Sequence, residues 1–511
     1  MDAAFDRAAW QRARQSRDPR FDGRFFVGVM TTGIYCRPIC PARTARESNV
    51  RYFPSAAAAS EAGFRPCLRC RPEVAPGTPA WDGTSATVRR AWRLIDEAVS
   101  EDLPIELLAD RLGIGSRHLR RLFLQHVGAS PLAVLQTRRL HFAKQLVDGT
   151  TMPFTTVALA SGFGSIRRFN AAFRYTWGRT PTELRRAADG RGGAPGPARF
   201  RLGYRPPYDW DAMLGFLTKR AVTGLELVAD GQYRRTVVVR DQAGSMAISH
   251  DAAAHALVVE VRHPDPQAVY SILRRVRVMF DVDADPQLIR AHLESDPLLR
   301  PRVRRRPGLR LPGAWDPFEI AVRAIVGQQA SVAGAAALVA RVARMYGTRL
   351  RTDTETLAWT FPTPRVLAEA PLERAGLTRR RAAAIRALAS AVAAGELSLD
   401  AGGPGLIERL CRLPGVGPWT AEYVAMRGLS DPDAFPVGDL GLRRAAGLTD
   451  RDLASRSERW RPWRAYAAMH LWTEISHDSI HDRRQPGRIA APGARQRRAL
   501  RAALRPRASA G

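Results

Sequence analysis

Lysine is nearly missing from this chain: among 511 residues only Lys144 and Lys219 carry an ammonium side chain. Chemistry that runs through a lysine Schiff base therefore has two candidates in the whole sequence. Long apolar runs are also missing, so no segment approaches the length of a membrane span. The opening Met-Asp-Ala-Ala-Phe-Asp-Arg lacks the basic-then-apolar pattern of a secretory signal, and a cytoplasmic protein without membrane partners is expected. Acidic charge is in deficit. Lys plus Arg (79) against Asp plus Glu (49) gives a net charge of +30, which points to a polyanionic partner, although an arginine bias this uniform also fits genomic composition.

The length allows about three or more domains by the usual size relation, and composition divides the chain. A cysteine-bearing segment occupies 1–78, a repeated helical block 79–188, a Gly- and Pro-rich linker 189–200, a strand-rich block 201–305 and a helical block 306–480. The residues 481–511 are rich in Arg, Ala, Gly and Pro and are expected to lack a fixed fold. The fold class is thus multidomain α+β.

Cys36-Arg-Pro-Ile-Cys40 and Cys67-Leu-Arg-Cys70 form a C-x3-C and C-x2-C pair separated by 26 residues, with no histidine in between. This spacing suits a closed tetrahedral zinc site with Cys36, Cys40, Cys67 and Cys70 as ligands, for which a purely structural role is the commoner use. Four thiolates on one zinc ion carry a formal charge of about −2. Arg37, Arg43, Arg65 and Arg69 surround the cysteines and are candidates to seat a phosphate, or simply a solvated face.

In the second block Ala109-Asp-Arg-Leu-Gly-Ile-Gly-Ser116 returns as Ala158-Leu-Ala-Ser-Gly-Phe-Gly-Ser165, each copy reading as helix, Gly turn, helix. The periodicity of the first copy buries Leu119, Leu122 and Phe123 and turns Arg117, His118, Arg120 and Arg121 outward. The second buries Ile166, Phe169 and Phe173 and exposes Arg167, Arg168 and Asn170. Arg to guanine and Asn to adenine are favourable major-groove pairings, so two DNA-reading helices are expected.

The stretches Arg235-Thr-Val-Val-Val-Arg240 and Ala256-Leu-Val-Val-Glu-Val261 read as strands. Farther on, Leu413-Pro-Gly-Val-Gly-Pro-Trp-Thr-Ala-Glu-Tyr423 places Gly415 and Gly417 in a turn that opens a helix, where backbone N–H groups can receive a DNA phosphate. Asp439 follows 22 residues after Gly417 in Pro-Val-Gly-Asp-Leu-Gly-Leu-Arg-Arg, at what looks like a helix start. It reads as a helix N-cap, as a catalytic carboxylate, or as both.

These motifs resemble known families. Phe26 to Cys40 and Gly63 to Cys70 resemble the Ada methyl-acceptor domain, and the resemblance implies that Cys36 takes a methyl group from a backbone methylphosphotriester. The duplicated block, closing on Gly178-Arg-Thr-Pro-Thr-Glu-Leu184, resembles AraC-type regulators, which implies operator binding, transcription activation and RNA polymerase as a partner. The region from about Arg201 to His477 resembles AlkA, a 3-methyladenine glycosylase of the helix-hairpin-helix superfamily. That likeness implies Asp439 as the catalytic carboxylate, Phe216, Trp419, Tyr423 and Trp472 as base-pocket aromatics, and a place for a monovalent cation at the hairpin. Leu440 and Thr473 replace tyrosines of that family, and Gln329 stands where it inserts an apolar wedge. Trp419 holds the position of the Schiff-base lysine of strand-cutting relatives, so the expected product is an intact abasic site. Cys411 lacks the Pro-Cys-His setting of a second methyl acceptor.

Three readings follow: a fused sensor, regulator and glycosylase; a regulator whose AlkA-like half only binds DNA; and an enzyme whose front domains only target it. Intact Asp439 favours the first over the second, and intact Cys36 favours it over the third.

Overall fold

The computed structural model describes residues 7–76, 86–97, 99, 104–189, 197–350, 356–399 and 405–481. Most of the expected linker and nearly all of the expected basic tail fall outside them. No described helix is long and apolar enough to cross a membrane.

The cysteine domain is built on strands β1 (Phe26–Val29), β2 (Ile34–Cys36), β3 (Val50–Phe53) and β4 (Arg65–Pro66), in the order β3-β1-β2-β4. Only the β2–β4 pairing is parallel, and it brings the end of β2, Cys36, beside the segment that carries Cys67 and Cys70. Phe26, Tyr35 and Phe53 form its buried side.

In the repeated block the two copies fold alike, as their sequence demands. Gly113 and Gly162 both take positive φ, and the residue after each donates its N–H to a carbonyl five residues back, Ile114 to Ala109 at 3.1 Å and Phe163 to Ala158 at 2.9 Å. These C-caps aim the helices Ser116–Val127 and Ile166–Trp177. One expectation is corrected here: Ile166 is 39 % exposed, and the buried stripe of the second helix is Phe169, Phe173 and Trp177. Helical side chains lean toward the N-terminus, and Ile166, the first helical residue, has no preceding turn to cover.

The next domain is a five-stranded antiparallel sheet of β5 (Ala198–Gly203), β6 (Glu226–Ala229), β7 (Gln232–Val239), β8 (Gln242–Asp251) and β9 (Ala256–Arg262), ordered β5-β9-β8-β7-β6. Strand β5 begins inside the expected linker because residues 198–203 pair with 256–261. Helices Trp210–Arg220 and Ala268–Met279 cover the sheet, and the helical domain follows from Pro317.

The first three domains share one continuous buried cluster. The long helix Pro131–Gly149 lies at the junction: His141 is 2.9 Å from the Tyr35 hydroxyl, and Gln145 donates to the Glu73 carbonyl. A Cβ at Gly203 would collide with the Val74 carbonyl, so the sheet domain approaches the cysteine domain backbone to backbone. Arg24 forms an ion pair with the buried Asp285, which caps the helix Pro286–Leu293. Burying such a pair is favourable only when its hydrogen bonds are met.

Candidate metal centre and base pocket

The four Sγ atoms of Cys36, Cys40, Cys67 and Cys70 lie within 4.8 Å of one another, and all four cysteines are free. Thiolates about 2.3 Å from a common tetrahedral centre would sit about 3.8 Å apart, so the group fits a four-thiolate metal. Backbone contacts hold the ligands: Cys40 donates to Arg37 O at 3.1 Å, Cys67 to Tyr35 O at 3.0 Å, and Arg37 N–H reaches Cys70 Sγ at 3.3 Å. Cys67 and Cys70 are buried, whereas Cys36 and Cys40 are half-exposed. The expectation that Arg37 seats a phosphate is corrected. Its guanidinium turns inward, pairing with buried Asp22 and donating to Cys70 O at 3.0 Å. Arg43, Arg65 and Arg69 are exposed beside the cluster.

Arg117, His118, Arg120, Arg121, Arg167 and Arg168 are exposed on the two duplicated helices, and Asn170 is half-buried. His118 and Arg121 meet at 3.0 Å, one helical turn apart.

In the helical domain Gly415 takes φ +80° and its Cα faces Ala384, while Gly417 caps the helix Pro418–Gly428 with open space where a side chain would stand. Gln328 ties the preceding loop to this hairpin by donating to Gly415 O at 2.9 Å and Thr420 Oγ1 at 3.1 Å. Gln329, exposed and at φ +51°, is thereby held out at the loop tip. A non-glycine residue in the left-handed region is strained, and such strain gathers at functional tips.

Asp439 is both a cap and a pocket carboxylate. Its Oδ1 accepts from Leu442 N–H at 2.8 Å and from the Trp472 indole at 2.9 Å, and its Oδ2 accepts from the Trp419 indole at 3.0 Å. A carboxylate has about four acceptor sites, so three donors hold it in place and leave capacity for water or developing positive charge. Trp419 stacks on Tyr423 with centroids 5.3 Å apart and 14° between planes, and Tyr423 meets Trp472 at 6.3 Å. These four side chains line a cavity of about 460 Å³.

Phe216 does not line that cavity, which corrects its expected place there. Its ring carries the Arg220 and Arg427 guanidiniums at 3.8 Å and 4.5 Å from the centroid. Sequence reasoning also missed the cavity's charged wall. Glu226, Glu319, Arg235 and Arg323 alternate in sign there, with Arg235 to Glu319 at 2.8 Å and Arg323 to Glu226 at 2.9 Å. Burial pushes Glu226 up, but Arg323 and Arg235 outweigh it and hold its pKa below the usual carboxylate value. Arg427 stands four residues after Tyr423, a spacing that could have flagged it; nothing local marks Arg220 or the network.

Comparison with known proteins gives four family matches: "Metal binding domain of Ada" at residues 9–73, "Helix-turn-helix domain" at 108–187, "AlkA N-terminal domain" at 199–316 and "HhH-GPD superfamily base excision DNA repair protein" at 322–457. The chain is 43 % identical over 479 residues to a probable bifunctional transcriptional activator/DNA repair enzyme AlkA of Mycobacterium tuberculosis, a match covering 91 % of this chain and 96 % of that protein. It is 39 % identical to DNA-3-methyladenine glycosylase 2 of Escherichia coli over 53 % of this chain and 96 % of that one. Among solved structures, a 3-methyladenine DNA-glycosylase from Archaeoglobus fulgidus shares the fold of the second half, with TM-score 0.50, 23 % identity and coverage of 55 % of this chain and 99 % of that chain.

Proposed function

Because the chain belongs to the family of bifunctional transcriptional activator/DNA repair AlkA proteins, we propose that it joins a methylphosphotriester-sensing DNA-binding regulator to a monofunctional glycosylase for alkylated purines such as 3-methyladenine. The observation that carries the excision half is Asp439, fixed by two indole N–H groups and a helix N-terminus on the wall of an aromatic cavity.

Excision requires the base to leave the stack. Gly415 and Gly417 receive the backbone, Gln329 enters the duplex, and the base passes between Trp419, Tyr423 and Trp472. An N3- or N7-alkylated purine is a good leaving group, and cleavage builds positive charge at C1′ that Asp439 stabilises. Water then attacks C1′ with Asp439 positioning it, and the products are the free base and an abasic site. Trp419 holds the hairpin-helix position of the Schiff-base lysine, and Lys219, which lines the cavity, comes from the separate helix Trp210–Arg220, so the strand is left uncut. A monovalent cation at the hairpin would steady its carbonyls.

In the front half, zinc held by Cys36, Cys40, Cys67 and Cys70 would keep the thiols deprotonated. The Cys36 sulfur attacks the methyl carbon of a phosphotriester, the S–C bond forms as the C–O bond breaks, and a phosphodiester anion leaves. The cluster moves from a charge of about −2 to about −1, so repulsion by DNA falls and operator affinity rises. Arg43 seats the backbone, and Arg117, His118, Arg120, Arg121, Arg167, Arg168 and Asn170 read the operator before RNA polymerase is engaged. The domains are accordingly placed at 1–78, 79–188, 198–305 and 306–480, the third opening with the strand Ala198–Gly203 and not at 201.

One experiment tests both halves. Purified full chain is incubated with methylated duplex DNA, and the released bases and the mass of the Cys36 peptide are recorded together. Release of alkylated purines with a gain of about 14 Da on Cys36 is expected. Methylation confined to Cys67 or Cys70 overturns the acceptor assignment, and absence of base release favours a regulator whose second half only binds DNA.

A further inference from the structure

The aromatic side of the cavity already holds cations of its own. Arg220 and Arg427 lie over Phe216, and Arg427 also lies 5.7 Å from the Tyr423 centroid. Arg427 is 4 % exposed and fully engaged: Nε donates to Pro312 O, one terminal nitrogen to Gly313 O at 3.1 Å, and the other to the Tyr423 oxygen at 2.9 Å. Aromatic faces attract a cation, but a cationic base entering here meets two like charges at this end of the pocket. Positive charge on the lesion is better placed toward Asp439.

Tyr423 is turned by these neighbours. Burial works to raise its phenol, yet the charges of Arg427 and Arg220, with the hydrogen bond that Arg427 donates to its oxygen at 2.9 Å, bring its pKa below the ordinary tyrosine value. Its oxygen therefore faces donors, and the remaining hydrogen-bonding function is the O–H proton. Among the described residues that proton has no acceptor, although Tyr423 lines the cavity.

We propose that Tyr423 is a specificity-determining residue whose hydroxyl, oriented by Arg427 and Arg220, donates to a carbonyl oxygen of the flipped base and so favours 6-oxopurine lesions over 6-aminopurine lesions. A guanine-derived base offers O6 to this donor. An adenine-derived base offers an amino group at the corresponding place, whose N–H would face an O–H donor beside two guanidiniums. The inference rests on the excision reading and refines it.

The test uses one substrate. Duplex DNA treated with dimethyl sulfate carries both 7-methylguanine and 3-methyladenine, and their single-turnover release by the full chain is followed in the same reaction, corrected for spontaneous loss. Tyr423→Phe should lower the 7-methylguanine rate about tenfold more than the 3-methyladenine rate. Arg220→Gln, which lets the hydroxyl turn, should move the ratio in the same direction and serves if the first variant does not fold. Asp439→Asn should lower both rates and leave the ratio unchanged. A ratio unaltered or raised in Tyr423→Phe overturns the inference while the excision reading stands; failure of the unaltered chain to release either base overturns both.

Discussion

The two chemical centres of this chain are assembled in opposite ways. The four thiolates come from residues 36–70, two short loops joined by the single parallel pairing of a small sheet. The pocket draws Trp419 from the hairpin helix, Asp439 from the start of the next helix and Trp472 from the helix Arg464–His481. Hydrogen bonds within that segment, such as Cys67 N–H to Tyr35 O and Cys40 N–H to Arg37 O, bring the four sulfurs together, so the geometry is local. The carboxylate is instead held by indoles that are positioned only when three helices pack.

The sharpest way to break this comparison is to remove the metal. Structural zinc sites contribute about 10–16 kcal/mol to folding of their domain, so chelation should unfold the cysteine domain while release of alkylated bases continues. Hydrogen exchange of residues 26–70 measured beside base release checks this. A parallel fall in release would show that contacts such as Arg24–Asp285 make the second centre depend on the first.

Replacing one carboxylate tests the other centre. Asp439→Asn should reduce single-turnover release by ~10²-fold or more, whereas Asp431→Asn, at an exposed position of the preceding loop, should be near neutral. The amide cannot accept from both indoles and the cap, because its NH₂ would face a donor, so a loss of about 1–2 kcal/mol in stability should accompany the rate effect. Equal rates for Asp439→Asn and the unaltered chain, with chemistry limiting, would reduce Asp439 to a helix cap.

A smaller change separates orientation from charge. Trp472→Phe keeps an aromatic wall and removes the N–H that reaches Asp439 Oδ1 at 2.9 Å, which should slow release by roughly tenfold, the lower end for one hydrogen bond to a charged group. The rate constant should fall with little change in DNA affinity. An affinity loss alone would place Trp472 in binding rather than in holding the carboxylate.

The smallest expected effect is shared by both halves. Burial lowers His141, at the front junction, from 6.5 to about 4, and His470, two residues before Trp472, from 6.5 to about 3. A histidine whose folded pKa is depressed stabilises the fold above pH 6.5, and that contribution is lost as pH falls below 6.5 toward the folded value. At pH 5.5 each should cost about 1 kcal/mol, so thermal melts between pH 7 and 5.5 should decline in both halves. His470→Asn should flatten the decline of the second half alone. If His141→Asn flattens it instead, the two halves unfold as one unit.

Legibility followed the range of the interactions. The cysteine spacing, the duplicated Gly turns and the Gly-x-Gly hairpin were readable because each depends on neighbours a few residues away, and the matching C-caps at Gly113 and Gly162 show it. Arg37 was misread as a phosphate ligand because its partner, Asp22, lies in an earlier segment with no motif. Phe216 was placed in the pocket, yet its face is covered by Arg220 and Arg427, one of them more than 200 residues away.

By itself the sequence determined the order of the domains, the four-cysteine set and the two duplicated helices, since these rest on residue type, spacing and helical periodicity, while its resemblance to AlkA singled out Asp439. Only the tertiary structure decided that Asp439 is clasped by Trp419 and Trp472, that guanidiniums occupy one end of the base pocket, and that Gln329 is pushed out by the tether of Gln328 to Gly415. Hydrogen bonds and buried charges are satisfied wherever packing brings a partner, and packing joins residues with no regard for their distance along the chain.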